Sequence, residues 1–89
     1  MNKRLGVIGI VIEDPKQNAG TVNAIISQYS EIIIGRLGIP QHDNNVGFIA
    51  MIVDGNTDAI GALTGKLGNL PGVAVKSALT AKTLENKTR

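Results

Sequence analysis

The chain lacks cysteine and has a single histidine, so two common ways of stabilising a small domain are closed to it. Without cysteine there are no disulfides and no thiolate ligands for a metal. His42 alone does not complete a zinc site within one chain. A chain of 89 residues has room for one small core with a thin stability margin. Association is the route that remains, and we predict a homo-oligomer, either a dimer or a tetramer.

Aromatic residues and charge of one sign are also scarce. Aromatics make up 2% of the chain, as Tyr29 and Phe48, and the formal net charge is +2. Direct nucleic-acid binding usually requires a basic stripe or stacking aromatics. We therefore expect none.

Long apolar runs are missing as well. The first run, residues 5–12, is far shorter than the roughly 20 residues that cross a bilayer. It is followed by Glu13-Asp14-Pro15 rather than by the small residues of a signal-peptide cleavage site. We therefore expect a cytoplasmic protein without membrane association.

What is present is an alternation of β-branched runs and helical periodicities. Strands are predicted at residues 5–12, 31–39, 46–53 and 73–79. Apolar residues at helical spacing predict one helix through Val22, with Asn18 as its N-cap, and another through Leu63, capped by Asn56 or Thr57. The order β-α-β-β-α-β indicates an α+β, ferredoxin-like fold, with a four-stranded antiparallel sheet and two helices on one face. We expect one domain over residues 1–80 and a frayed tail over residues 81–89.

The predicted strands are apolar on both faces. Two helices cover only one face, and each large aliphatic side chain left exposed on the other forgoes about 1.5–3 kcal/mol of burial. We therefore predict that the uncovered face is buried between subunits. The residues predicted at this interface are Ile32, Ile34, Arg36, Ile49 and Met51. Within this apolar row the Arg36 guanidinium needs a carboxylate or carbonyl partner.

Glycines in the second helix are a further unusual feature. Each costs about 1 kcal/mol relative to alanine, and Gly61 and Gly65 lie four residues apart. Their spacing predicts a smooth strip that allows close backbone approach, either by the sheet or by a neighbour. Gly68 is predicted to end the helix. The pair Gly65-Lys66 lacks the remaining residues of a phosphate-binding loop.

A ligand site is predicted in residues 13–20, where backbone N–H groups at a helix start attract polar ligands. The residues assigned to it are Glu13, Asp14, Asn18 and Gly20. The alternative role for Asp14 is to cap the turn at Pro15. His42 is expected to be solvated, although histidines from neighbouring subunits could converge on a shared metal.

Neither a nucleophile with its base nor a cofactor motif is evident, so we do not expect an enzyme. Several runs nevertheless resemble one family, the iron-only hydrogenase system regulators, over residues 4–80. The matching runs are VIG at residues 7–9, IIGRLGIP at 33–40, IGALTGKLG at 60–68 and LPGV at 70–73. That family is similar to ACT domains and to the C-terminal domain of the nickel-responsive regulator.

The resemblance implies an ACT-like, ligand-sensing oligomer. We therefore expect a regulatory module of an iron-only hydrogenase system that senses a small molecule or docks on a partner protein. The alternative is a structural or protein-interaction module without a small-molecule ligand.

Overall fold

A computed structural model of the chain describes residues 3–80. The elements, in chain order, are β1 (Lys3–Glu13), α1 (Pro15–Ser27), a 3₁₀ turn (Ser30–Ile32), β2 (Ile33–His42), β3 (Val46–Asn56), α2 (Thr57–Gly68) and β4 (Val73–Leu79). The predicted order β-α-β-β-α-β is confirmed. The tail predicted over residues 81–89 lies outside the described residues.

The four strands form one antiparallel sheet in the order β2-β3-β1-β4. β1 is central, and it pairs with β3 along its whole length, from Lys3 opposite Asn56 to Glu13 opposite Val46. β2 and β4 are therefore the two edge strands. A turn at residues 43–45 joins β2 to β3, and Asn44 and Asn45 take the left-handed backbone conformation in it.

One face of the sheet packs against both helices to form the core. Successive strand residues point to opposite faces, so every second side chain of β1 and β3 enters this layer. The buried residues are Ile8, Ile10 and Ile12 of β1, Ile49, Met51 and Val53 of β3, Val22 and Ile26 of α1, and Ile60, Leu63 and Leu67 of α2. Burying each such side chain contributes about 1.5–3 kcal/mol.

This arrangement corrects part of the predicted interface. Ile49 is 7% and Met51 0% exposed, because both lie beneath the helices, and they are not available to a second chain. Arg36 pairs with Met51 in the sheet and therefore lies on the same, helix-covered side. Ile32 is half-buried beside Gly55. Ile34 is 61% exposed.

The start of α1 also differs from the prediction. The helix begins at Pro15 rather than after Asn18, and Asp14 is its N-cap. Proline suits the first position of a helix because that residue has no intrahelical N–H bond to lose. The Asn18 side chain instead donates from Nδ2 to the Glu13 carbonyl oxygen, 2.6 Å away. At the other boundary, β2 continues through Pro40, which an edge strand tolerates.

The cap of α2 is confirmed, whereas close packing of its glycine strip against the sheet is wrong; contact of the strip with a neighbouring subunit stays a prediction. Asn56 Oδ1 accepts a hydrogen bond from the Ala59 backbone N–H at 2.7 Å. Gly61 and Gly65 face outward, and a Cβ added at either would meet no atom within 4 Å. Gly68 ends the helix as predicted. Neither helix within residues 3–80 is long and apolar enough to cross a membrane.

Candidate functional site

The residues predicted to bind a ligand sit at the junction of β1 and α1, where the backbone is already paired. The Glu13 N–H donates to the Gly72 oxygen at 2.8 Å, and the Asp14 N–H donates to the Asn45 oxygen at 3.0 Å. These bonds fasten the junction to the start of β4 and to the β2–β3 turn. Asp14 occupies the N-cap position with φ 48°, but its side chain makes no cap hydrogen bond, so the side-chain capping predicted for it is wrong.

The N–H groups in the first turn of α1 are used in the same way. Those of Gln17 and Asn18 donate to the Asp14 oxygen at 3.0 and 3.1 Å, and Pro15 has no N–H. The free donors that motivated a site here are therefore largely engaged. Gly20 lies apart on the exposed side of α1, with no atom within 4 Å of a Cβ added to it. Ligand binding at these residues stays a prediction.

His42 ends β2, and its ring meets the Phe48 ring edge-on, with centroids 6.0 Å apart. In the described part of the chain, no three histidine or acidic residues are grouped closely enough to hold a metal ion. A metal shared between copies through His42 stays a hypothesis.

A cleft between α1 and the edge strand β2 is a better-formed candidate site. One wall is a helix face with residues four apart, namely Pro15, Ala19 and Asn23. The other is the helix-side row of β2 with residues two apart, namely Arg36, Gly38 and Pro40. The steps match, because four helical residues rise about 6 Å and two strand residues about 6.6 Å. Helix and strand therefore face each other residue by residue.

The middle of the cleft is open because its side chains are small. Ala19 and Gly38 line the two walls, and the apolar side chains of Ile12 and Ile49 contribute to its lining. The cleft has a volume of about 280 Å³. This lies just below the roughly 300–1,000 Å³ of most ligand pockets, so the cleft suits only a small molecule.

At one end of the cleft lies the guanidinium of Arg36, whose hydrogen-bond partner is a neutral amide. Arg36 Nη2 donates to Asn23 Oδ1 at 2.8 Å, and no carboxylate of residues 3–80 pairs with this guanidinium. Sequence reasoning predicted a carboxylate or carbonyl partner for Arg36, and the amide carbonyl of Asn23 is that partner. The partner belongs to the same chain, not to a second subunit as expected.

The uncovered face of the sheet, here called the open face, is the second notable surface. Its large aliphatic side chains are between 38% and 69% exposed. They are Leu5, Val7 and Val11 of β1, Leu37 and Ile39 of β2, and Ile52 of β3. Small residues lie among them, and a groove of about 370 Å³ includes Gly9, Ala50 and Ala74 in its lining.

Charges of both signs surround this apolar centre. By strand alternation the open face also carries Lys3 and Glu13 at the ends of β1, Asp54 near the end of β3, and Lys76 on the edge strand β4. An apolar centre with a polar rim is typical of protein interfaces.

Sequence reasoning missed most of the cleft. Asn23, Ala19 and Gly38 were not assigned to a site, although Arg36 was singled out. The available signal was the four-residue spacing in α1 together with the two-residue spacing in β2, but opposing them requires the strand order.

Comparison with known proteins places the chain in a family. Residues 4–77 match the model of the TM1266-like family, described as "Iron-only hydrogenase system regulator, putative". The chain belongs to this family. The resemblance seen in the sequence is thereby confirmed. No match was found among curated proteins.

Solved structures give the same picture of the fold. The uncharacterized protein TM1266 from Thermotoga maritima is 38% identical, with a TM-score of 0.82 over 86% of this chain and 96% of that chain. The ACT domain of GTP pyrophosphokinase from Chlorobium tepidum is 24% identical, with a TM-score of 0.70 over 83% of this chain and 96% of that chain. The ACT-like fold is confirmed.

A more distant structure has the same architecture. CPII from Thiomonas intermedia K12, described as a nitrogen regulatory PII-like protein bound to ADP, AMP and bicarbonate, is 11% identical, with a TM-score of 0.50. The match covers 91% of this chain and 100% of that chain. At this identity the likeness concerns the fold alone.

Proposed function

We propose that this chain is the subunit of a homo-oligomeric, ACT-like regulatory module that responds to a small ligand within an iron-only hydrogenase system. The observation that carries the proposal is the open face, an apolar sheet surface that neither helix covers. The family description supports the regulatory role, and the nucleotide-bound CPII shows that this fold accommodates small ligands.

The open face favours a second copy of this chain as the occupant. Val7, Leu37 and Ile52 are each more than half exposed, at 51%, 69% and 51%, and burying such side chains favours association by about 1.5–3 kcal/mol each at full burial. The rim contains acidic and basic residues in equal number, which suits a self-complementary twofold contact. These residues replace Ile49 and Met51 in the proposed interface.

The ligand-responsive part of the proposal rests on the cleft between α1 and β2, which combines apolar walls with one polar end. We propose a regulatory rather than a catalytic role because the family is described as a regulator. The cytoplasmic location expected from the sequence stays a prediction, as does docking on a partner protein.

Analytical ultracentrifugation of the full chain tests the oligomer. The unmodified protein is expected to sediment as a dimer or tetramer at micromolar concentration. Ile52→Lys places a charge in the apolar centre and should yield a folded monomer, with circular dichroism confirming the fold. Thr21→Lys adds the same charge on the exposed side of α1 and should assemble normally. A monomeric parent, or normal assembly of Ile52→Lys, would contradict the proposal.

Thermal-shift measurements test the ligand response separately. A ligand that binds only the folded state raises the melting temperature, and amino acids, nucleotides and metal salts are the probes. A shift with one class supports a sensor. An oligomer that no probe stabilises would instead favour an interaction module without a small-molecule ligand.

A further inference from the structure

We propose that the cleft between α1 and β2 binds a small aliphatic monocarboxylate, with its carboxylate on Arg36 and its short apolar part between Ala19 and Gly38. The inference deepens the proposed ligand response and rests on it. It names the chemical class of the ligand and places the ligand away from the β1–α1 junction.

The charge argument comes from the partner of Arg36. A guanidinium offers five N–H donors in a planar fork, and the described residues engage it through Nη2 and one neutral amide oxygen. Carboxylates match this fork with two parallel, charge-assisted hydrogen bonds, which are roughly twice as strong as neutral ones. An anion entering the cleft therefore has both charge and geometry in its favour.

The shape argument comes from Gly38. A Cβ added there would have the Phe48 carbonyl oxygen as its nearest neighbour, at 3.9 Å, so the backbone leaves room for a side chain. Glycine inside a strand weakens it, and a β-branched residue would favour the strand. The missing side chain keeps the cleft open at this point. Directly across, Ala19 does the same for the helix wall.

The lining sets the size and polarity of the rest of the ligand. Ile12 and Ile49 are buried and apolar, and Pro15 and Pro40 stand at the end of the cleft away from Arg36. A volume of about 280 Å³ fits a few carbon atoms beyond the carboxylate. A branched C4 acid is therefore a fitting probe.

NMR titration of the ¹⁵N-labelled full chain with sodium isobutyrate tests the site. Isobutyrate is expected to shift the amide signals of Ala19, Arg36 and Gly38 saturably. Isobutyramide, a neutral molecule of the same shape, is expected to bind at least about tenfold more weakly, because it cannot form charge-assisted bonds with the guanidinium. Equal binding of both molecules would overturn the inference, as would shifts centred on Asp14 or His42.

The variant Asn23→Asp distinguishes two possible roles of Arg36, namely binding a ligand and merely linking α1 to β2. The new carboxylate pairs with Arg36 inside the chain and competes with the ligand, so isobutyrate affinity should fall about tenfold or more while the melting temperature holds or rises. Arg36→Gln should lose affinity to the same degree. If parent and Asn23→Asp bind isobutyrate equally, Arg36 is only a structural tie and the inference is wrong.

A glycine pair provides a matched test of the shape argument. Gly38→Val fills the cleft and should also weaken isobutyrate binding about tenfold. Gly61→Ala lies on the exposed side of α2, outside the lining of the cleft and where a Cβ meets no atom, and should leave binding unchanged. Unchanged affinity in Gly38→Val would overturn the inference. Sedimentation of each variant distinguishes failure of the ligand-site inference from failure of the proposed function. If the parent is an intact oligomer that does not bind isobutyrate, only the ligand-site inference is refuted. If the parent is a monomer, the proposed function is refuted.

Discussion

Replacing the outward-facing glycines of α2 with alanine should stabilise the protein. Gly61 and Gly65 lie inside the helix, and a Cβ added at either meets no atom within 4 Å. Among the glycines of residues 3–80, Gly72 alone has a positive φ. Gly61 and Gly65 therefore do not adopt a conformation that requires glycine. Each replacement removes a helix-propensity cost of about 0.5–1 kcal/mol. The double variant should gain about 1–2 kcal/mol, which raises the melting temperature of a domain this size by roughly 4–16 °C.

Urea denaturation followed by circular dichroism measures this gain. The midpoint should rise with an unchanged m-value. Gly47→Ala is the matched control with the opposite sign, because its Cβ would lie 2.8 Å from the Pro40 carbonyl oxygen and 3.2 Å from Pro15 Cβ. That variant should lose stability. An equal or lower midpoint for the α2 double variant would refute the reasoning, and would mean that this side of the helix packs against another copy.

Three further substitutions test separate features. Leu37→Ala removes a side chain that is 69% exposed in the monomer. A twofold contact buries this side chain twice, so the dimer should lose about 2–4 kcal/mol of association free energy, and sedimentation equilibrium should show its Kd rising roughly 30- to 1,000-fold. An unchanged Kd would place the interface elsewhere. Asn56→Ala deletes the acceptor of the Ala59 N–H and should cost about 1 kcal/mol in urea denaturation, and no loss would contradict the cap. Asp14→Gly relieves a residue held at φ 48° without a side-chain cap bond, so the protein should gain up to about 1 kcal/mol; a loss would show that the carboxylate matters.

The strands and helices were largely predictable because their signals are local. β4 was predicted at residues 73–79, where it is found, and Asn56 was a predicted cap of α2. α1 was predicted too short because Pro15 was assigned to a loop, although proline also suits the first turn of a helix.

The direction in which β2 side chains point was not predictable from alternation. Ile33 and Arg36 both lie on the helix-covered side, opposite Val53 and Met51, although one position is odd and the other even. The register shifts between Ile33 and Gly35, and such a bulge reverses the alternation beyond it. The bulge therefore brings Ile33 onto the same face as Arg36, although alternation placed the two on opposite faces. Arg36 does share a face with Met51, as predicted, but the helices cover that face, so Arg36 lines the cleft and not an interface.

The cleft could not be predicted from the sequence, for a different reason. The cleft is open because the side chain of Ala19 is small and Gly38 has none. These residues lie 19 positions apart in the chain, and only the packing of α1 beside β2 brings them together. Small residues leave no periodic signal that distinguishes a ligand cleft from a surface position.

The central place of β1 affects how the protein is made. β1 leaves the ribosome before its partners, yet both of its neighbours in the sheet, β3 and β4, come later in the chain. At about 5–20 residues per second, β3 is complete roughly 2–9 s after β1. During that interval the aliphatic run from Leu5 to Ile12 has no strand to pair with, and such runs are prone to aggregate. Pairing of β1 therefore waits until the chain has been synthesised through β3, and until then the first strand stays open to the strands of neighbouring chains.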